Sequence, residues 1–290
     1  MEEMEPGLRR IVAPNPSPMT FTGTCSYVIG TGRVAVVDPG PADSTHLEAI
    51  LSGLARGEEV SHILVTHAHL DHSPGARLLS EATGAPVFAF GPPEAGRSEV
   101  MADLAAAGLA GGGEGVDRDF RPDERLEHGE TLAGGDWSLT ALHTPGHFCN
   151  HLSFAIGDAI LTGDVVMGWS STLISPPDGD LRDYYRSLAL IEERAPRILY
   201  PGHGAPVRAP ATLIAEQRAH REARSAQILE SLRAAPATPQ ALTRAIYREV
   251  PAALLPAAER NVFAHLVEMT QQNLVTPAPH LTPEAQFSLT

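Results

Sequence analysis

Apolar and polar positions alternate along most of the chain before about Ala211, and helical spacing takes over after it. Cys25–Ile29 (CSYVI) and Arg33–Asp38 (RVAVVD) read as two strands joined by a Gly-Thr-Gly turn, and Pro39-Gly40-Pro41 ends the second. Ser44–Leu54 sets Leu47, Ile50, Leu51 and Leu54 on one helical face. His62–Val65 is a short apolar strand. Ser73-Pro74 opens a helix through Ala76–Ala82, with proline at the first helical position, where its missing N–H is harmless. Val87–Phe90, Gly129–Leu132 and Trp137–His143 follow as strands. His151–Ile156 and Ala159–Thr162 form a hairpin around Gly157-Asp158, a pair suited to a type I′ turn. Gly108–Gly115 reads as a surface linker. Leu181–Arg194 is an amphipathic helix, and Ile198–Tyr200 is a strand that delivers Pro201-Gly202-His203-Gly204.

Hairpin strands mixed with strand–helix alternation describe an α/β (α+β) layered fold. Behind it, helices at Ala211–Ala234, Pro239–Arg248 and Pro256–Asn273 and a brief strand at Leu274–Thr276 outline a winged-helix module. Two domains are therefore expected, a catalytic one over 1–210 and a winged-helix-like one over 211–290.

Composition narrows the functional classes. All 21 basic residues are arginine, and the net charge is −14. The tail from Ala215 holds seven arginines and seven glutamates, so the acidity belongs to the part before it. That balance speaks against a general nucleic-acid backbone binder and makes duplex DNA an unexpected partner. Cys25 and Cys149 stand far apart and read as reduced thiols. MEEMEPG is unlike a secretory signal and no apolar run reaches membrane-span length, so a cytoplasmic location is expected.

The chemistry concentrates in Thr66–His72, THAHLDH. Imidazoles at i and i+2 of an extended segment point the same way, so His67 and His69 can grip one ion, while Asp71 and His72 turn toward a second position. Three histidines and an acid in six residues are costly to bury with nothing to bind. Other ligands are expected at later strand ends: His147 in HTPGH, Asp164 in LTGD and His203 in PGHG, each beside a glycine that lets backbone pass close to a metal.

THAHLDH, HTPGH, TGD and PGHG resemble the metal motifs of the metallo-β-lactamase-fold superfamily over roughly Thr20–Ala205. The resemblance implies a four-layer αββα sandwich with metals at one edge of two facing sheets. It implies one zinc on His67, His69 and His147, a second on Asp71, His72 and His203, and Asp164 bridging both. MTFTGTCSYVIG, SSTLISPPDGDLRDYYRSL and the tail narrow the likeness to the beta-lactamase-like protein 2 group, whose best-known member is a single-strand-specific endoribonuclease.

Nitrogen and oxygen ligands without thiolates suit two Zn2+ ions, and iron or manganese accept similar shells. Such a pair supplies a bridging hydroxide near neutral pH, which Asp71 is expected to orient. The expected substrate is a phosphodiester, in single-stranded RNA or a nucleotide. A glyoxalase II-like thioesterase or another small acyl hydrolase is the alternative, weakened by the missing lysines. A secreted zinc β-lactamase, a one-iron persulfide dioxygenase and a winged-helix regulator with a metal-sensing domain fit less well. Ser171, Thr172, Tyr184 and Tyr185 are candidate substrate contacts, with one tyrosine of the pair expected in the core. His143 and His151 flank a ligand but read first as ordinary packing or turn residues. The neutral tail is expected to cover the active site or to support a homodimer.

Overall fold

A computed structural model describes residues 1–290. Seven strands form the first sheet in sequence order: β1 (Glu2–Glu5), β2 (Leu8–Val12), β3 (Cys25–Ile29), β4 (Arg33–Val37), β5 (Glu59–Leu64), β6 (Val87–Ala89) and β7 (Glu124–Arg125). Neighbours are antiparallel up to β4 and parallel from β4 to β7. Parallel pairing needs crossovers, supplied by α1 (Ser44–Ser52), α2 (Pro74–Thr83) and α3 (Glu99–Ala106). The second sheet contains β8 (Thr131–Gly134), β9 (Trp137–His143), β10 (Leu152–Ile156), β11 (Ala159–Gly163) and β12 (Ile198–Pro201), in the order β12-β11-β10-β9-β8. Helix α4 (Leu181–Glu193) makes its one parallel crossover, from β11 to β12.

Period-two alternation decides the layers. Tyr27, Ala35 and Val37 face Leu139, Phe154 and Leu161 between the sheets. Their neighbours Val28, Val34 and Val36 turn outward onto Ile50 of α1 and Leu79 of α2. Leu142, Ile160 and Leu199 turn from the other sheet onto Leu188 and Ile191 of α4. Four layers result, helix, sheet, sheet and helix, as the family resemblance implied. Cys25 and Cys149 are buried free thiols, and no helix is long and apolar enough to cross a membrane.

The C-terminal part comprises α5 (Pro210–Ala234), α6 (Pro239–Ile246), α7 (Leu255–Gln271) and an antiparallel hairpin of β13 (Val275–Ala278) and β14 (Gln286–Leu289). Helix α5 serves both bodies: Ile214 packs in the layer over the second sheet, whereas Ile228 and Leu232 join α6, α7 and β14. Met101 and Leu104 of α3 complete that second core. The structure adds elements that patterning missed. Strand β2 (LRRIV) carries adjacent arginines that break its alternation, and β14 supplies the partner that makes the brief terminal strand a wing.

His265 of α7 is buried, shares a hydrogen bond with Ser225 through Nδ1 (2.9 Å), and has no partner at Nε2. Burial, then Arg221 and Arg224, lower its pKa from 6.5 to about 3. The unfolded chain therefore binds a proton that the folded one refuses, and stability falls as pH drops from about 6.5 toward 3. One such group contributes a slope of at most about 1.4 kcal/mol per pH unit. Urea unfolding at pH 7 and pH 5 is expected to show a smaller acid loss for His265→Gln than for the parent. Equal losses would contradict the assignment.

Candidate metal centre

Strands β4, β5, β9, β11 and β12 release their C-terminal ends at one edge of the facing sheets, and the reactive side chains gather there. Asp38, directly after β4, pins the histidine loop at both ends. Its carboxylate accepts from Thr66 N (2.7 Å), Thr66 Oγ1 (2.8 Å) and His72 Nδ1 (2.9 Å). The 108–115 segment is not a linker, correcting the expectation from its glycines. Leu70 N donates to Gly115 O, His69 pairs with Val116, and Gly113 and Glu114 line the cavity above the cluster.

Hydrogen-bond partners fix where the ring protons lie. His67 Nδ1 faces Thr66 Oγ1 (2.9 Å), whose own hydrogen goes to Asp38, so His67 carries its proton on Nδ1. His147 Nδ1 donates to Leu173 O (2.8 Å), His72 Nδ1 to Asp38, and His203 Nδ1 to Gly23 O (3.2 Å). With the rings neutral, the Nε2 atoms of all four are the lone pairs, and they converge. Those of His67 and His147 lie 2.9 and 3.0 Å from His69 Nδ1, while those of His72 and His203 lie 3.2 Å apart. Asp71 Oδ2 sits 3.3 Å from His72 Nε2 and 3.2 Å from His203 Nε2. Between the two groups stands Asp164, 3.7 Å from His147, 3.6 Å from His72 and 3.3 Å from His203, with a buried Oδ1 that has no hydrogen-bond partner.

Facing lone pairs repel unless a proton or a metal cation lies among them. His67, His69 and His147 form one set whose ligand atoms lie within 4.8 Å of one another, and Asp71, His72 and His203 form another. The donor set and the orphaned Asp164 oxygen thus fit metal ions. Burial and the neighbouring imidazoles depress His67 strongly, and burial with His147 brings His69 to about 3. The second group behaves oppositely. Burial opposes a charge on His72 and His203, yet Asp71 and Asp164 raise both, His203 to about 9. Burial likewise opposes ionisation of the two aspartates, and His72 and His203 nevertheless hold them well below the usual carboxylate range. All seven expected ligand residues come together at this edge.

Glycine allows the close approach. A Cβ on Gly202 would stand 2.4 Å from Asp164 Oδ1, and one on Gly163, at φ +48°, 2.5 Å from His151 Nε2. His151 accepts from Asp164 N (3.2 Å) and bonds Thr144 Oγ1 through Nδ1 (3.0 Å), so it holds the backbone of that aspartate. His143 bonds Cys149 O and stacks on Phe90, remote from the cluster's chemistry.

The cluster opens into a cavity of about 380 Å³, within the roughly 300–1,000 Å³ of small-ligand sites. Pro18, Met19, Met167, Trp169 and Leu173 form part of its wall, and the C-terminal helices form another part through His220, Arg221, Arg224, Tyr247, Leu254 and Asn261. Of the expected substrate contacts, only Ser171 lines it. Thr172 does not: its hydroxyl is buried and donates to Asp164 O (2.7 Å) and Val165 O (2.9 Å). Tyr184 is core, its hydroxyl donating to Gln217 Oε1 (2.8 Å), and Tyr185 lies behind the wall on the same helix. Tyr184 faces α5, which the sequence of α4 alone does not disclose. Asp38, Arg221, Arg224 and Asn261 were not singled out as site residues.

The C-terminal helices also hold in place the carbonyl that orients His147. Arg221 donates to Thr172 O and to Asn261 Oδ1 (2.9 Å), and the same Oδ1 accepts from Ile174 N (3.0 Å). Leu173 O, between these anchors, receives the His147 proton.

Residues 19–203 match the Metallo-beta-lactamase superfamily, and residues 238–279 match the Beta-lactamase associated winged helix domain. A Beta-lactamase-like protein 2 homolog of Drosophila melanogaster is 30% identical over 274 residues, covering 91% of this chain and 87% of its own. An Atrochrysone carboxyl ACP thioesterase of Passalora fulva is 29% identical over 80% of this chain, which spans 63% of that enzyme. The crystal structure of a metallo-beta-lactamase family protein from Thermus thermophilus superposes with a TM-score of 0.78 at 25% identity, covering 99% of this chain and 100% of that one.

Partners that orient metal-binding histidines typically contribute 10–100-fold in affinity. Asn261→Leu, which releases the 172–174 segment without touching a ligand, is expected to weaken Zn2+ binding by about that factor. Competition with a chromophoric chelator measures it; unchanged affinity would contradict the clamp.

Proposed function

The chain belongs to the metallo-beta-lactamase superfamily, and on that premise we propose that it is a two-ion metallo-hydrolase of small esters, an acyl thioester being the substrate class its cavity suits best. His67, His69 and His147 would hold one ion and Asp71, His72 and His203 the other, with Asp164 placed between the two groups. The donor set favours zinc, with iron or manganese as substitutes. Ions bound there supply water that ionises near neutral pH and an electrophile for the substrate oxygen. Asp71, also within 3.3 Å of the Thr24 hydroxyl, would orient the attacking water, and Asp164 faces both ligand groups.

The observation that carries the substrate class is the wall of the cavity. A roof of C-terminal helices and a lining of Met19, Met167, Trp169 and Leu173 suit an acyl body better than an extended polar strand. The fungal relative named as a thioesterase supports the same reading. Phosphodiester cleavage, on single-stranded RNA or a nucleotide, is the second reading, and it is favoured by Arg221 and Arg224 in the wall. Arg182 and Arg186 do not help it: they lie against Glu268 and Asp183.

Chelator-treated protein is expected to lose thioester hydrolysis and regain it on Zn2+ addition. A panel of thioesters, lactones and phosphodiesters assayed against a His69→Ala control ranks the substrate classes; activity untouched by chelation and by His69→Ala would overturn the reading. Asp71→Ala is expected to lower kcat by on the order of 10²–10⁴-fold. Retention of both ions with full turnover would remove Asp71 from its role.

A further inference from the structure

Helix α5 presents two cations to the cavity with no acid to answer them. Arg221 and Arg224 lie one turn apart and line the same space as His69, His147, Asp164 and His203. No carboxylate stands within 4.0 Å of either guanidinium. Arg221 is 2% exposed, and its two terminal nitrogens are engaged by Asn261 and Thr172, leaving Nε without a partner. Arg224 is half-buried with its guanidinium 4.2 Å from the Tyr247 ring centroid. It donates once, to Gln227 (2.7 Å), and its buried Nε is likewise unpartnered.

The charge is not neutralised elsewhere in the wall. His220 and His265 both sit in the field of these arginines, which, after burial, discourages their protonation. Glu114 is the only acid lining the cavity outside the metal cluster, and it accepts a hydrogen bond from Ser17 (2.8 Å). A buried cation without a counter-ion is unfavourable, and a ligand can supply the missing anion. Arginine's planar fork, stacked on an aromatic ring and with donors to spare, suits an oxyanion. Tyr247, Val250 and Leu254 bring apolar surface to the same part of the cavity.

We propose that Arg224, backed by the charge of Arg221, forms an oxyanion subsite for a carboxylate or phosphate that the substrate carries away from its scissile bond. The preferred substrates are then amphiphilic: a reacting carbonyl at the metal cluster, an apolar middle along the wall, and an anionic end on α5. For its reacting end this inference rests on the hydrolase reading of the same cavity; the binding of the anion itself does not.

Three thioesters separate the sources of the anion: S-butanoyl-N-acetylcysteamine with none, S-succinyl-N-acetylcysteamine with a carboxylate on the acyl side, and butanoyl-coenzyme A with phosphates on the thiol side. With zinc-loaded protein, at least one anionic substrate is expected to exceed the neutral one about tenfold or more in kcat/KM, an increment of about 1.4 kcal/mol. Arg224→Met should remove most of that advantage, and Arg224→Lys, which keeps the charge, should retain part of it. Equal kcat/KM across the three, or an advantage that survives Arg224→Met, overturns the subsite. If none is cleaved, the thioesterase reading fails, and calorimetry with succinate and inorganic phosphate decides the subsite instead. Binding weakened about tenfold by Arg224→Met, corresponding to about 1.4 kcal/mol, upholds it; binding that is absent, or indifferent to the substitution, overturns it.

Discussion

Lone pairs from five imidazoles and two carboxylates aimed at one small buried volume are tolerable only with positive charge among them. That requirement organises the rest of the molecule. Each ring must present a defined nitrogen, and four of the five have a fixed partner behind it. Asp38 takes the proton of His72 and, through Thr66, fixes His67; Leu173 O and Gly23 O do the same for His147 and His203. The strands, in turn, must end together at one edge, which the parallel pairs β4–β5 and β11–β12 achieve. Burial makes the arrangement stiff: seven neighbouring polar residues, each at most 7% exposed, have few alternative partners.

The C-terminal helices belong to this account as much as the sheets do. Arg221 and Asn261 grip the backbone on either side of the carbonyl that orients His147. The same helix α5 packs on the second sheet through Ile214 and on the C-terminal core through Ile228 and Leu232. A single rigid element therefore links core packing, metal-site orientation and the wall of the cavity. This supports the expectation that the tail covers the site, and it makes the tail part of the cavity wall.

Much of the metal cluster was legible because its chemistry is dense. THAHLDH packs incompatible buried groups into one turn, and glycine-flanked ligands at later strand ends complete a recognisable order. The layered sheets were equally visible, since period-two alternation survives wherever a strand is buried on one or both faces. Residues whose role depends on a distant partner were hidden. Asp38 stands in VVDPG, where an acid before Pro-Gly reads as a turn. Arg221, Arg224 and Asn261 lie in a helical stretch of balanced charge, where nothing local tells which side chains turn to the cavity. Thr172 and Tyr184 erred in the opposite direction: they are polar and near ligands in sequence, but backbone carbonyls and Gln217 consume their hydroxyls. The glycines before Val116 looked like slack chain because their contacts, to Asp178, Arg260 and Leu70, come from remote segments.

Anomalous diffraction from crystals of the zinc-loaded protein tests the central claim most directly, because it locates the cations without reference to any activity. Two peaks about 3.5–4 Å apart are expected, one in reach of His67, His69 and His147, the other in reach of Asp71, His72 and His203, with Asp164 between them. A single peak away from Asp164, or no ordered metal at this edge, would contradict the account.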